Sequence, residues 1–190
     1  MTLATMTRDV VRARAPDALE TLRRPEVALA IWERDLPAAL HGALAQLDLD
    51  TVDDIEAALA AEAAPEGLLR AAGYPDAAIA PLAADIARLM QHHAGLTGGE
   101  RLSLRLEVVE GDACRRFHAD YVTLRLLCTY VGPGTQWHHV ATPEAIEQVP
   151  TGAVAVFKGR FLLDPPTVLH RSPPIVATRA RRLMLVIDPA

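Results

Sequence analysis

The hydrophobic repeat of this chain changes period near residue 98, and that change restricts its possible folds more than any other feature. Upstream, apolar residues recur at helical spacing. Pro75 opens a run to about Met90 in which Ile79, Leu82, Ile86 and Leu89 share one face. Glu26–Leu47 shows the same spacing, with a kink or break at Pro37, which lacks the N–H that a helical ladder needs. Asp50 or Thr51 can cap a further helix reaching about Ala63, with acidic residues in its first turn. The Gly98-Gly99 pair then breaks the pattern. Downstream the repeat is two: Leu102, Leu104, Leu106 and Val108 point one way. Apolar runs follow at Val122–Tyr130, Ala153–Phe157, Thr167–His170 and Leu183–Ile187. Gly132-Pro133-Gly134, Lys158-Gly159 and Pro173-Pro174 punctuate them. The pattern predicts an α+β protein: a helical N-terminal region over 1–97, packed on an antiparallel β core over 98–190 that forms a sandwich or barrel.

Composition narrows the function. Apolar residues make up 51% of the chain, enough for a folded core. A formal charge of -5 without a basic tail argues against nucleic acid as a partner. No apolar run approaches the ~20 residues that span a bilayer, so no membrane partner is expected. The first twenty residues lack the apolar core of a signal peptide. Two cysteines, Cys114 and Cys128, cannot build a disulfide framework and suit a reducing compartment. A cytoplasmic location is therefore expected. The pattern sets no oligomeric state.

The strongest chemical signal is His118-Ala119-Asp120, with His170 fifty residues on. On a strand, residues i and i+2 share a face, so His118 and Asp120 can hold one ion from the same side. His170 can complete the set from a neighbouring strand. Two imidazoles and a carboxylate on one face of an ion leave the opposite positions open, which suits Fe(II) with a bidentate co-substrate and dioxygen. The chain has no G-x-G-x-x-G, no Walker loop and no G-x-S-x-G.

The blocks CRRFHAD, RLLCTYVGPGTQW, VFKG, HRSPP and RRLMLVID occur in that order between about residues 100 and 190. Together they resemble an uncharacterised bacterial domain family often encoded near zinc-homeostasis genes. More distantly, the His-x-Asp, the strand after it and the later His followed by Arg resemble the jelly-roll dioxygenases dependent on Fe(II) and 2-oxoglutarate, in particular the prolyl-hydroxylase-like branch. That resemblance implies a double-stranded β-helix, jelly-roll or cupin-like, for the β core. It implies His118, Asp120 and His170 as iron ligands and as the catalytic set. It also implies an arginine beyond the last His that pairs with the far carboxylate of 2-oxoglutarate; Arg179, Arg181 and Arg182 all qualify. A guanidinium suits that place because it binds a carboxylate through two parallel hydrogen bonds.

Other residues leave alternatives open. Arg125 interrupts an apolar strand, and needs a carboxylate or a ligand anion if buried. Tyr130 can offer a phenol to a bound carboxylate or pack with a wet hydroxyl. Cys114 shares a strand face with His118 and Asp120, and with Cys128 or His138 it could complete a tetrahedral zinc site. The sequence therefore predicts an Fe(II)/2-oxoglutarate oxygenase acting on a small-molecule or peptide substrate. The alternative is a cupin-like, zinc-homeostasis-linked metal-binding protein without oxygenase activity.

Overall fold

The computed structural model describes residues 5–7 and 9–190. Strands β1 (Thr5–Thr7), β2 (Val10–Ala13) and β3 (Leu29–Trp32) precede helix α1 (Ala38–Ala45). Then come β4 (Ile55–Ala60), α2 (Glu66–Ala71) and the long helix α3 (Asp76–Thr97). The rest is β: β5 (Arg101–Val109), β6 (Leu124–Val131), β7 (Gln136–His139), β8 (Glu147–Gln148), β9 (Val154–Lys158), β10 (Val168–Arg171) and β11 (Arg182–Pro189).

Eight strands form one sheet in the order β1-β2-β3-β9-β6-β11-β5-β4, antiparallel except for the β2–β3 pair. A smaller sheet, β10-β7-β8, faces it. The alternation of side chains explains the layering. Leu102, Leu104 and Leu106 of β5, Leu126 and Cys128 of β6, and Leu183, Leu185 and Ile187 of β11 point to the face covered by the helices. There they meet Ile79, Leu82, Ile86 and Leu89 of α3. Residues of the opposite parity, such as Leu127, Ala155, Phe157 and Val186, face the smaller sheet and close a second core around Trp137 and Val168. The arrangement is a mixed α/β fold with a large antiparallel sheet, consistent with a jelly roll. No helix among the described residues is long and apolar enough to cross a membrane.

Two helical expectations are corrected. The segment expected to be helical from Asp50 to Ala63 contains β4, whose residues pair with β5 from Ile55↔Leu106 to Ala60↔Arg101. Its alanines favour a helix in isolation, but the open edge of β5 offers a full ladder of partners, and tertiary pairing overrides a weak propensity. Glu26–Leu47 divides into β3 and α1 rather than one kinked helix. Leu29–Trp32 is buried at every position, which is how a strand covered on both faces reads; over four residues that run cannot be told from a buried helix. The third expectation holds at its start, after Pro75, but α3 runs past Met90 to Thr97 and ends where Gly98 turns left-handed at φ 70.

The N-terminal 97 residues thus contribute β3 as partner of β9 and β4 as partner of β5. We expect a 98–190 fragment to lack a cooperative thermal transition, because it loses both pairings and the helix cover of the apolar face. A sharp melt of the fragment, followed by far-UV dichroism, would show that the β core stands alone.

Candidate metal centre

His118 and His170 lie side by side through a reciprocal backbone pair. His118 N–H donates to His170 O at 3.0 Å, and His170 N–H to His118 O at 2.9 Å. Directly opposed antiparallel residues carry their side chains on the same face, and the two imidazole centroids lie 4.7 Å apart. Asp120 is two residues beyond His118. Its backbone is held by Arg160, whose N–H donates to Asp120 O at 2.8 Å, and by the close approach of Gly159, where a Cβ would strike the carbonyls of Val122 and Asp120. One ligand atom from each of His118, Asp120 and His170 lies within 4.8 Å of the others.

The protonation states suit a cation. His118 Nδ1 donates to Arg116 O at 2.8 Å, which leaves Nε2 to face the cluster. Burial lowers the pKa of His170, which keeps it neutral near pH 7. Burial alone would raise the Asp120 carboxyl, but the close contact with His170 and the charge of the Arg125 guanidinium outweigh it and hold the group at about 2. Asp120 Oδ1 forms an ion pair with Arg125 Nη1 at 2.6 Å. Oδ2 is buried without a hydrogen-bond partner; His170 Nε2 is 3.1 Å away, but off the hydrogen-bond direction. A buried ionised oxygen with no partner is costly. A divalent ion between Oδ2 and the two Nε2 atoms would remove that cost, and two imidazoles with one carboxylate form the donor set of a facial iron(II) site. The residues present therefore fit such a metal.

The other predicted residues separate sharply. Arg182 is fully buried. It donates to Ser172 Oγ, to Thr129 Oγ1 at 3.1 Å and to Thr135 Oγ1 at 3.3 Å, and its Nε has no partner. Among the described residues no carboxylate pairs with it, and burial lowers its pKa from the usual 12.5 to about 10. Ser172, Thr135 and Met184, all within bonding reach of Arg182, line a cavity of about 150 Å³ that also contains the triad. Arg181 turns the other way, to Asp50 at 2.8 Å and Glu110 at 2.5 Å. Arg179 is exposed at the left-handed turn before β11. None of the three arginines is itself in the cavity lining; Arg182 alone is bonded to residues that are.

Tyr130 is a second correction. It lies on the helix face of β6 and donates its hydroxyl to Asp85 at 2.8 Å, inside the ion pair of Asp85 with Arg34. Alternation makes this inevitable: Tyr130 shares parity with Leu126 and Cys128, Arg125 with Leu127. Arg125 does reach the site, but as a partner of Asp120 and Asp188 rather than as a free cation. Cys114 lines the cavity yet lies outside the ligand cluster, and Cys128 is on the opposite face, donating to Gly152 O. His138 packs against Phe117. The tetrahedral zinc set built on Cys114 is therefore not assembled. Sequence reading missed Thr129 and Asp188, whose only signal was polarity in otherwise apolar strands, and Thr135, which lies in the connection before β7.

Solved oxygenases share this fold. A dioxygenase for auxin oxidation from rice superposes with a TM-score of 0.57 at 16% identity, over 96% of this chain and 83% of that one. A prolyl-4-hydroxylase from Pseudomonas putida gives 0.50 at 18% identity, over 92% of this chain and 97% of that one. A prolyl 4-hydroxylase from Phytophthora capsici gives 0.52 at 15%, over 93% and 63%. By sequence, the chain belongs to the family described as protein of unknown function (DUF1826), which matches residues 13–188. No curated protein matches it.

Proposed function

We propose that this protein is a mononuclear non-haem oxygenase dependent on Fe(II) and 2-oxoglutarate, acting on a small-molecule or peptide substrate. The observation that carries the reading is a pairing of two needs at one cavity. Asp120 Oδ2, in the cavity, is a buried oxygen without a hydrogen-bond partner, and Arg182, a buried cation without a carboxylate, sits behind the cavity-lining Ser172, Thr135 and Met184 to which it is bonded. Bound there, ferrous iron with 2-oxoglutarate would supply the activation of dioxygen and the oxidation of a substrate C–H bond.

The chain's own residues prepare the site for this. His118 and His170 offer imidazole nitrogens, and Asp120 brings one negative charge. Arg182 offers a planar fork to a carboxylate, held in place by the hydroxyls of Ser172, Thr129 and Thr135. Leu127, Met184 and Val186 form apolar wall that keeps water from the buried groups. Phe157 lies 4.5 Å from the His170 ring and fixes its tilt.

Anaerobic loading with Fe(II), followed by metal analysis and a 2-oxoglutarate turnover assay, tests the proposal. One ion per chain is expected in the wild type, falling to less than a tenth of that in His118→Ala and in His170→Ala. Full metal retention in both variants would remove the site. A wild type that holds metal but neither binds nor consumes 2-oxoglutarate would leave the metal-binding alternative in its place.

A further inference from the structure

We propose that Asp188 is a positioning residue for the metal centre: it fixes the plane of the Arg125 guanidinium, and Arg125 ties one oxygen of Asp120 so that only the other faces a metal. The inference rests on the metal-centre reading above and adds how the carboxylate ligand is held.

The geometry is a relay across two strands. The Ile187↔Leu126 pair of β11 and β6 brings Asp188 opposite Arg125 one step further along. Arg125 donates Nε to Asp188 Oδ1 at 2.8 Å and Nη2 to Asp188 Oδ2 at 2.7 Å. A guanidinium is planar, so two parallel bonds on one edge determine where the third nitrogen points. That nitrogen, Nη1, meets Asp120 Oδ1 at 2.6 Å. Asp188 is buried, and its two oxygens are both engaged by Arg125. It touches none of the three proposed ligands.

Two consequences follow from removing the Asp188 charge. Arg125 becomes an uncompensated cation beside Asp120, and its freed edge can turn to grip both Asp120 oxygens as a fork. The guanidinium then competes with a metal for Oδ2. Charge acts in the same direction, because Asp188 now neutralises Arg125 and leaves the full charge of Asp120 to attract a divalent ion. Removing Arg125 as well lifts the competition, but frees Oδ1 to bind the metal beside Oδ2.

The test uses the full chain and Co(II) as probe, with affinity read by calorimetry and ligand geometry by the visible d–d absorption. Asp188→Asn should bind Co(II) 10- to 100-fold more weakly than wild type, the usual effect of losing a partner behind a ligand. The double variant Arg125→Met/Asp188→Leu should recover part of that affinity while showing an altered d–d band, an outcome that a role confined to stability would not produce. Thermal melts check the fold. If Asp188→Asn does not fold, Asp188→Glu, which keeps the charge but shifts the fork, is expected to alter the band in a folded protein. Affinity within threefold of wild type, together with a superimposable band, would overturn the positioning role alone. A wild type that binds no Co(II) would overturn it together with the metal-centre reading.

Discussion

Arg182→Met is expected to weaken 2-oxoglutarate binding by one to two orders of magnitude without weakening the fold. The two effects differ in sign because the guanidinium is buried with no carboxylate against it. Its pKa falls from 12.5 to about 10, which corresponds to a cost on the order of 3 kcal/mol carried by the folded state at neutral pH. An anion in the cavity relieves that cost, so a bound carboxylate gains more there than at a solvated arginine. Losing hydrogen bonds to a charged group should weaken binding by about 1.5–3 kcal/mol, or 10- to 150-fold. Methionine fills a similar volume, and replacing an unpaired buried ion by an apolar side chain is often neutral or stabilising. Calorimetry of 2-oxoglutarate with inert Mn(II) bound measures the first effect, and urea unfolding of the apo chain the second. Unchanged affinity would remove Arg182 from the site. A loss of stability above ~2 kcal/mol would mean that its bonds to Ser172, Thr129 and Thr135 outweigh its desolvation. Arg181→Met should leave affinity unchanged, since Arg181 is engaged by Asp50 and Glu110 on the other face.

His93→Leu is expected to remove much of the protein's acid sensitivity. His93 lies on α3, fully buried, with neither ring nitrogen partnered. Burial lowers its pKa from 6.5 to about 4, against a smaller upward pull from Asp188. Above pH 6.5 the ring is neutral in both folded and unfolded chains, and no stability depends on pH. As pH falls from 6.5 to 4, the unfolded chain takes up a proton that the folded chain refuses, so stability drops by roughly 3 kcal/mol in total. Below pH 4 both states are protonated and the loss stops. The buried His170 is lowered in the same direction, so the variant keeps part of the slope. Urea midpoints at pH 7.5 and 4.5 measure it. The wild type should lose far more than His93→Leu between those values, and the variant should be the more stable at pH 7.5, since two unpartnered polar atoms leave the core. Parallel pH profiles for the two proteins would contradict the assignment.

The β half and the triad were legible because both depend on short-range patterns. Alternation over Arg101–Val109 and the apolar run of Leu183–Ile187 report burial directly, and His118 and Asp120 converge as expected although they lie outside the named strands, with His118 in an isolated bridge to His170. The strands within the first 97 residues were not legible. Ile55–Ala60 is rich in alanine, which reads as helix, and its strand state comes from a partner more than forty residues away. The pairing of Trp137 with His170, which builds β7 against β10, is likewise non-local. Asp85, Arg34 and Tyr130 form a buried network on the helix face that no spacing rule connects, because its members come from α3, the segment after β3, and β6.

The sequence by itself determined the chemistry available: the ligand types, their shared parity, and a cluster of arginines of which adjacent members must face opposite ways. Only the tertiary structure decided which arginine lies on the cavity side of the sheet. Parity divides Arg181 from Arg182 but does not say which side is which. That depends on which face of β11 the helices cover, and they cover the face of Leu183, Leu185 and Ile187. Arg182, with Met184 and Val186, is thereby turned to the cavity side of the sheet, where it bonds to the cavity-lining Ser172. The choice is made by the apolar area of α3 and the strand pairs on either side of β11, contacts between segments far apart in the chain that no local pattern encodes.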